Sequence, residues 1–241
     1  MSTCVLATRV VTEVDALERE LAELEQRPVF ARGTVKRRGE HAAGRLAAHH
    51  ALTLLRGAGE RRAILTAEGP EQGRPRVIQL PHGQDLDVTV SITHADGLAV
   101  ALACEVAAGL DLVTLEDHGE AFAREAFAPG ELAAWRGLFS HDVLATCAAF
   151  AFKESVLKWL RVGMGLSLQG LRVLPRSLDR RTAPSTLRLD VEGAGTPCPE
   201  LAGWLWTEHT RVLALVSEDH RLRILEPAGG LRGYFGSATG A

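Results

Sequence analysis

One stretch constrains this chain more than any other. From Val143 to Val162 the sequence is apolar and free of glycine and proline, yet it carries Lys153, Glu154, Lys158 and Arg161. At about 100° per residue, Ala145, Ala148, Ala149, Phe152, Val156, Trp159 and Leu160 fall on one side of a helix. Glu154, Lys158 and Arg161 fall on the other side, and Lys153 lies about a quarter-turn from Glu154. A core helix thus presents a carboxylate flanked by cations. Two readings are open. In the first, the charges form a solvated face with a Glu154–Lys158 pair at i,i+4, worth about 0.3–0.5 kcal/mol. In the second, Glu154 is an oxygen ligand for Mg²⁺ beside cations for phosphate oxygens, which requires a second carboxylate and further phosphate-binding groups elsewhere.

Composition narrows the class. Hydrophobic residues make up 46% and charged residues 24% of 241 residues, as in a soluble globular protein. A net charge of −3 gives no global case for nucleic acid or an anionic membrane, so an anion site has to be local. Cys4, Cys104, Cys147 and Cys198 have no CxxC spacing, so neither a zinc site nor a redox pair is indicated. Such scattered cysteines read as buried apolar residues of a reducing compartment. The first residues lack a basic-then-apolar signal pattern, and no apolar run reaches the length of a membrane span. The expected location is the cytoplasm, with no membrane and no nucleic-acid partner.

Taken in order, Cys4–Thr12 reads as a strand and Glu13–Glu25 as an amphipathic helix through Val14, Leu17, Leu21 and Leu24, ended at Arg27-Pro28. A second long helix opens on the basic run from Lys36 to Arg45 and stops at Gly57. A basic helix start favours anions through its free N–H groups, although a solvated end with ordinary arginines is equally consistent. Ala63–Ala67 reads as a short strand, and Gly69-Pro70 with Gly73-Arg74-Pro75 as loop punctuation. Val88–His94 and Leu98–Cys104 read as a hairpin bent at Asp96-Gly97. Val106–Val113 reads as a third strand. It holds Asp111 in an apolar setting, costly unless the carboxylate is paired or binds a metal. A lone His94 is ordinarily structural.

Short helices follow at Ala121–Phe127 and Gly130–Leu138, then the long helix Val143–Val162. The remainder reads as strands at Leu171–Leu174, Thr186–Val191, Trp204–Glu208, Val212–Ser217 and Leu222–Leu225, with a loop at Gly193–Pro199 and a fraying end from Gly229. The run after His94 echoes the run from His209 to Ser217. The expected fold is therefore α+β: a pseudo-two-fold pair of similar halves, 1–110 and 111–241, each a long helix packed on a small antiparallel sheet. A cleft between the halves is the expected ligand site, and a monomer is the expected state.

Four elements in order, Gly73-Arg74-Pro75, Ser91-Ile92-Thr93-His94, Gly109-Leu110-Asp111-Leu112 and Phe152-Lys153-Glu154-Ser155-Val156-Leu157-Lys158, resemble the Sfp-type 4′-phosphopantetheinyl transferases. The stretch Arg37–Arg45 is similar to the early helix of that superfamily's siderophore-synthesis branch. Gly163-Met164-Gly165-Leu166-Ser167-Leu168 resembles the loop after its KE helix. The resemblance runs from about Arg37 to Leu174.

The resemblance implies a reaction. The phosphopantetheine arm of coenzyme A passes to a serine of an apo acyl or peptidyl carrier protein, with Mg²⁺ on the pyrophosphate. It implies Asp111 and Glu154 as metal ligands, with Glu154 also taking the serine proton. It implies Lys158 beside the transferred phosphate, and Lys153 along the cofactor. Thr93 and His94 are implied at the phosphate or ribose end of coenzyme A, Arg74 near adenine, and Arg38 and Arg45 near the 3′-phosphate. One departure stands out. Sfp-type sequences carry a second acid two residues after the Asp, and here that residue is Val113. Water would complete the metal shell there, or Glu116 or Asp117 would reach in. Val113 also supports an alternative: a weakened relative that binds coenzyme A or a carrier protein without turnover.

Overall fold

The structure is a computed structural model that describes residues 1–26, 33–59, 61–66, 74–162, 166–193, 195, 198–226 and 231. The chain forms two compact units. Unit 1 comprises Met1–Val106 and Arg221–Leu231, and Ala107–His220 belongs to unit 2. The boundary between the units falls at Val106–Ala107, where the sequence reading placed it at 110/111, and the last described strand belongs to unit 1.

Unit 1 contains strands β1 (Thr3–Val10), β2 (Arg62–Thr66), β3 (Pro75–Gln79), β4 (Gln84–Asp85), β5 (Thr89–Ala95) and β6 (Leu98–Cys104), and helices α1 (Val14–Glu25) and α2 (Val35–Arg56). The last described strand, β12 (Arg223–Leu225), completes its main sheet in the order β12-β1-β6-β5. β1 is antiparallel to β6 and parallel to β12. β5 and β6 form the expected hairpin, with positive φ at Asp96 (46°) and Gly97 (72°). Two consecutive left-handed residues match the twist of the flanking strands, which is why Asp-Gly serves at this bend.

Thr34 caps α2, its side chain accepting from the Arg37 N–H at 3.3 Å. Ala42, Ala43, Ala47, Ala48 and Ala51 are all buried, so small side chains let α2 lie close on β1 and β6. The sequence reading treated the segment around Arg74-Pro75 as loop; β3 begins at Pro75 and pairs with β2 and β4. A proline is tolerated as the first residue of a strand, because its missing N–H need not join the ladder.

Unit 2 contains β7 (Ala108–Thr114), β8 (Arg172–Asp179), β9 (Ser185–Glu192), β10 (Leu201–Thr207) and β11 (Arg211–Ser217), paired antiparallel in the order β7-β11-β10-β9-β8. Among its described residues the helices are α3 (Gly119–Ala126), α4 (Glu131–Arg136) and α5 (Asp142–Leu160), with a 3₁₀ turn at Leu168–Gly170. β8 extends past the expected Leu174 to Asp179, with a register shift between Pro175 and Ser177 that keeps it paired with β9. α5 packs on β7 and β11. Phe152 on α5 stacks on Trp135 of α4 with ring centroids 5.3 Å apart, at the centre of an apolar cluster that also takes in Leu171, Leu189 and Leu205. The architecture is α+β. No helix among the described residues is long and apolar enough to cross a membrane. The expected loop elements Gly73 and Gly163-Met164-Gly165, most of the expected fraying end from Gly229, and part of the Gly193–Pro199 loop lie outside the described residues.

Candidate active site

In unit 2, Gly109 brings β7 and α5 together. A Cβ at Gly109 would lie 1.9 Å from the Ser155 carbonyl oxygen and 2.8 Å from the Trp159 nitrogen, so only glycine permits this approach. Ser155 is fully buried and donates from its hydroxyl to the Ala214 carbonyl at 3.0 Å, tying α5 to β11 as well. With helix and strand held this close, Lys158 reaches β7. Its Nζ donates to the Leu110 carbonyl at 2.9 Å and to Asp111 Oδ1 at 2.6 Å.

Asp111 is 8% exposed, which answers the question its sequence position raised: the buried carboxylate is paired. Glu154 is half-buried on α5. Burial pushes its carboxyl above the ordinary range, the negative charge of Asp111 pushes it further, and Lys158 and Lys153 pull it back. Asp111, Glu154 and Lys158 thus form one electrostatically coupled group across β7 and α5.

These two carboxylates are hard oxygen donors in a partly desolvated setting. Among the described residues no group of three His, Cys, Asp or Glu that could hold a metal is present. Neither Glu116 nor Asp117 therefore makes a third member. Two carboxylates suit Mg²⁺, which keeps several waters and takes substrate phosphate oxygens, rather than an ion needing an all-protein cage. Val113 lies on the same face of β7 as Gly109 and Asp111 and is 7% exposed within the apolar cluster of unit 2.

Lys153 is placed differently from the expectation that it lies along a cofactor. Its side chain and that of Glu131 are both 0% exposed, with Nζ 2.5 Å from Glu131 Oε2. Burial pulls the Lys153 ammonium below its ordinary value, and Glu131 opposes that. The ammonium also lies 5.2 Å from the centre of the Phe127 ring. One residue round the helix from Glu154, the chain turns from a solvent-facing to a core-facing direction, and helical periodicity alone did not say which neighbour Lys153 would meet.

Unit 1 holds the other residues singled out. Arg38 donates from Nε to Glu18 Oε1 at 2.9 Å, and its NH2 group also meets Glu18 Oε2 and Asp15. Arg45 is 8% exposed, with its guanidinium 3.5 Å from Glu25 Oε2 and 3.2 Å from the Thr66 hydroxyl. Glu25 is itself buried and also bonds His49 Nε2 at 3.0 Å and the Ile64 N–H at 3.2 Å. Both arginines expected at a phosphate are therefore engaged by carboxylates within their own unit. On β5, Thr93 is buried, whereas His94 is exposed with Nδ1 3.7 Å from Glu40 Oε2 on α2. Arg74 is half-buried just before β3.

Sequence reasoning missed Glu131 and Glu25. Glu131 carried a faint signal as an acid at a helix start after Pro129-Gly130; Glu25 carried none, sitting at a helix end like a solvated residue.

A family model described as the 4′-phosphopantetheinyl transferase superfamily matches residues 107–203, and one described as the 4′-phosphopantetheinyl transferase N-terminal domain matches residues 25–104. The chain belongs to the 4′-phosphopantetheinyl transferase superfamily. Membership indicates 4′-phosphopantetheinyl transferase activity, and the superfamily match contains Asp111, Glu154 and Lys158 together. The N-terminal match contains Arg38, Arg45, Arg74, Thr93 and His94. No individual curated protein matches the chain.

Proposed function

We propose that this transferase moves the 4′-phosphopantetheine arm of coenzyme A to a serine of an apo acyl or peptidyl carrier protein in a Mg²⁺-dependent reaction. The observation that carries this reading is the coupled group of Asp111, Glu154 and Lys158 within the segment matched by the superfamily model.

Asp111 and Glu154 would hold the ion. Magnesium, when bound, supplies charge neutralisation at the pyrophosphate oxygens. Glu154 takes the proton of the serine hydroxyl, directly or through a water, and its raised proton affinity suits a base. The serine oxygen forms a bond to the phosphorus bearing the pantetheine arm, and the bond from that phosphorus to the bridging oxygen breaks. Adenosine 3′,5′-bisphosphate leaves with the electron pair. Lys158 neutralises charge on the transferred phosphoryl group, since such transfers need positioning and charge stabilisation more than covalent help. Thr93 and His94 are proposed at the phosphate or ribose end of coenzyme A and Arg74 near adenine. The siderophore-synthesis branch is proposed on the stretch Arg37–Arg45.

Val113 favours a second reading, in which the chain binds coenzyme A or a carrier protein without turnover. Its side chain belongs to the apolar cluster of unit 2, at a position where Sfp-type chains carry an acid. Incubation of apo carrier proteins with coenzyme A and Mg²⁺, read by mass spectrometry beside Glu154→Ala, separates the two. A phosphopantetheine adduct on serine with the parent protein alone supports transfer and the role of Glu154. Tight coenzyme A binding with no adduct on any carrier favours the second reading.

A further inference from the structure

We propose that Glu131 and Lys153 are positioning residues whose buried pair sets the rotation of α5 and so aims Glu154. The proposal rests on the reading of Glu154 given above. It starts from an oddity of burial. Lys153 and Glu131 have no exposed side-chain surface, and a buried ion pair is costly unless its remaining hydrogen-bonding groups are also satisfied.

Glu131 is fully used. Its Oε2 accepts from the Ala128 N–H at 2.9 Å and from Lys153 Nζ at 2.5 Å, and its Oε1 accepts from the Val173 N–H at 2.9 Å. One carboxylate therefore joins the turn before α4, strand β8 and helix α5. The carbonyl of Val173 accepts from Trp135 Nε1 at 2.8 Å, so α4 holds both backbone groups of that strand residue. The node is rigid, and Lys153 plugs α5 into it one residue before Glu154.

On the far side of the same turn, the Ser155 hydroxyl holds the Ala214 carbonyl, and Lys158 holds β7. Glu154 lies between an anchor at 153 and an anchor at 155. A helix packed only by apolar contacts can roll by some degrees at small cost, whereas directional charge-assisted bonds resist rolling. A working site tolerates misplacement of only about 0.5 Å or 10–20°. A pair lacking the charge-assisted bond between residues 131 and 153 would keep the side-chain volume and lose the angular restraint.

The test uses three variants, E131Q, K153M and E131Q/K153M. The single variants each leave one buried charge without its partner and can fail to fold. The double variant is neutral and close in shape. Folding is read by circular dichroism and thermal denaturation. Transfer is read as kcat at saturating coenzyme A and as the Mg²⁺ concentration giving half the maximal rate, and coenzyme A affinity by calorimetry.

The expected result is a folded double variant with coenzyme A affinity near that of the parent, kcat at least tenfold lower and Mg²⁺ half-saturation several-fold higher. A folded double variant with parental kcat and Mg²⁺ dependence overturns the positioning role while leaving the transferase reading intact. Three variants that all fail to fold overturn it too, because the pair then serves stability alone. A parent protein without transfer overturns the transferase reading and the positioning role with it.

Discussion

Lys158 Nζ sits 2.6 Å from Asp111 Oδ1, so the cation proposed to meet a phosphoryl group is paired with a carboxylate proposed to meet a metal. The pair orients both side chains across β7 and α5. Replacing Lys158 by Met should remove a preorganised positive charge and lower kcat by about 10²–10³-fold. Asp111 would lose its nearest counter-charge but keep its place on a central strand. The adduct assay with an apo carrier protein checks this, and a K158M protein with parental kcat would remove Lys158 from the reaction.

Glu154 should weaken the ligand-free fold. Burial and then Asp111 raise its proton affinity, so the folded state binds a proton there more readily than the unfolded chain does. Stability from this group is complete below the ordinary glutamate range and falls as pH rises through its raised folded value. E154Q should therefore be more thermostable than the parent at neutral pH, with the difference shrinking toward acid pH. Thermal denaturation of both proteins from acid to neutral pH decides it. A difference that grows toward acid pH would contradict the sign.

Gly109 should tolerate no side chain. The added Cβ of G109A would meet backbone atoms of α5, at 1.9 Å from the Ser155 oxygen, and backbone cannot swing aside as a flexible side chain can. A loss of about 3 kcal/mol or more is expected, at the upper end for overpacking. Urea denaturation measures it, and Lys158 should lose its reach to Asp111 in the same variant.

Val113 offers a gain-and-loss experiment. V113E would add a carboxylate two residues after Asp111 on the same face of β7, while inserting charge where the side chain is 7% exposed. The Mg²⁺ concentration for half-maximal transfer should fall several-fold, and the melting temperature should fall with it. Unchanged Mg²⁺ dependence would show that this position does not face the ion.

Glu18 should report on Arg38. Its side-chain bonds to Arg38 hold the Glu18 carboxyl below its ordinary value, so its contribution to stability is present at neutral pH and lost as pH falls through that lowered value. E18Q should be modestly less stable than the parent at pH 7 and converge with it in acid. If Arg38 also serves coenzyme A, E18Q will change the KM for coenzyme A with kcat unaltered; an unchanged KM assigns Arg38 to the fold of unit 1.

The long helix, the hairpin at Asp96-Gly97 and the burial of Asp111 were legible from residues alone, because each rests on local rules. Apolar periodicity marks α5, two left-handed residues mark the turn, and an acid in an apolar strand marks a carboxylate that needs a partner. The short strands β3 and β4 were not legible, since β4 has two residues and β3 opens on a proline, leaving no run long enough for a period to appear.

Which charge belongs to which partner was decided by tertiary structure. Lys153 and Lys158 look alike in sequence, five residues apart on one helix. One turns into the core to meet Glu131, and the other crosses to Asp111. Arg38 and Arg45 likewise share a basic stretch, but α1 brings Glu18 to one and its last turn brings Glu25 to the other. Electrostatic pairing acts over a few ångströms between residues far apart in the chain, so it becomes definite only when packing sets those distances. The sequence by itself determined the residue types and their helical and strand phases. The tertiary structure decided that Asp111, Glu154 and Lys158 form one coupled group, and that Lys153, Arg38 and Arg45 are engaged by carboxylates of their own units.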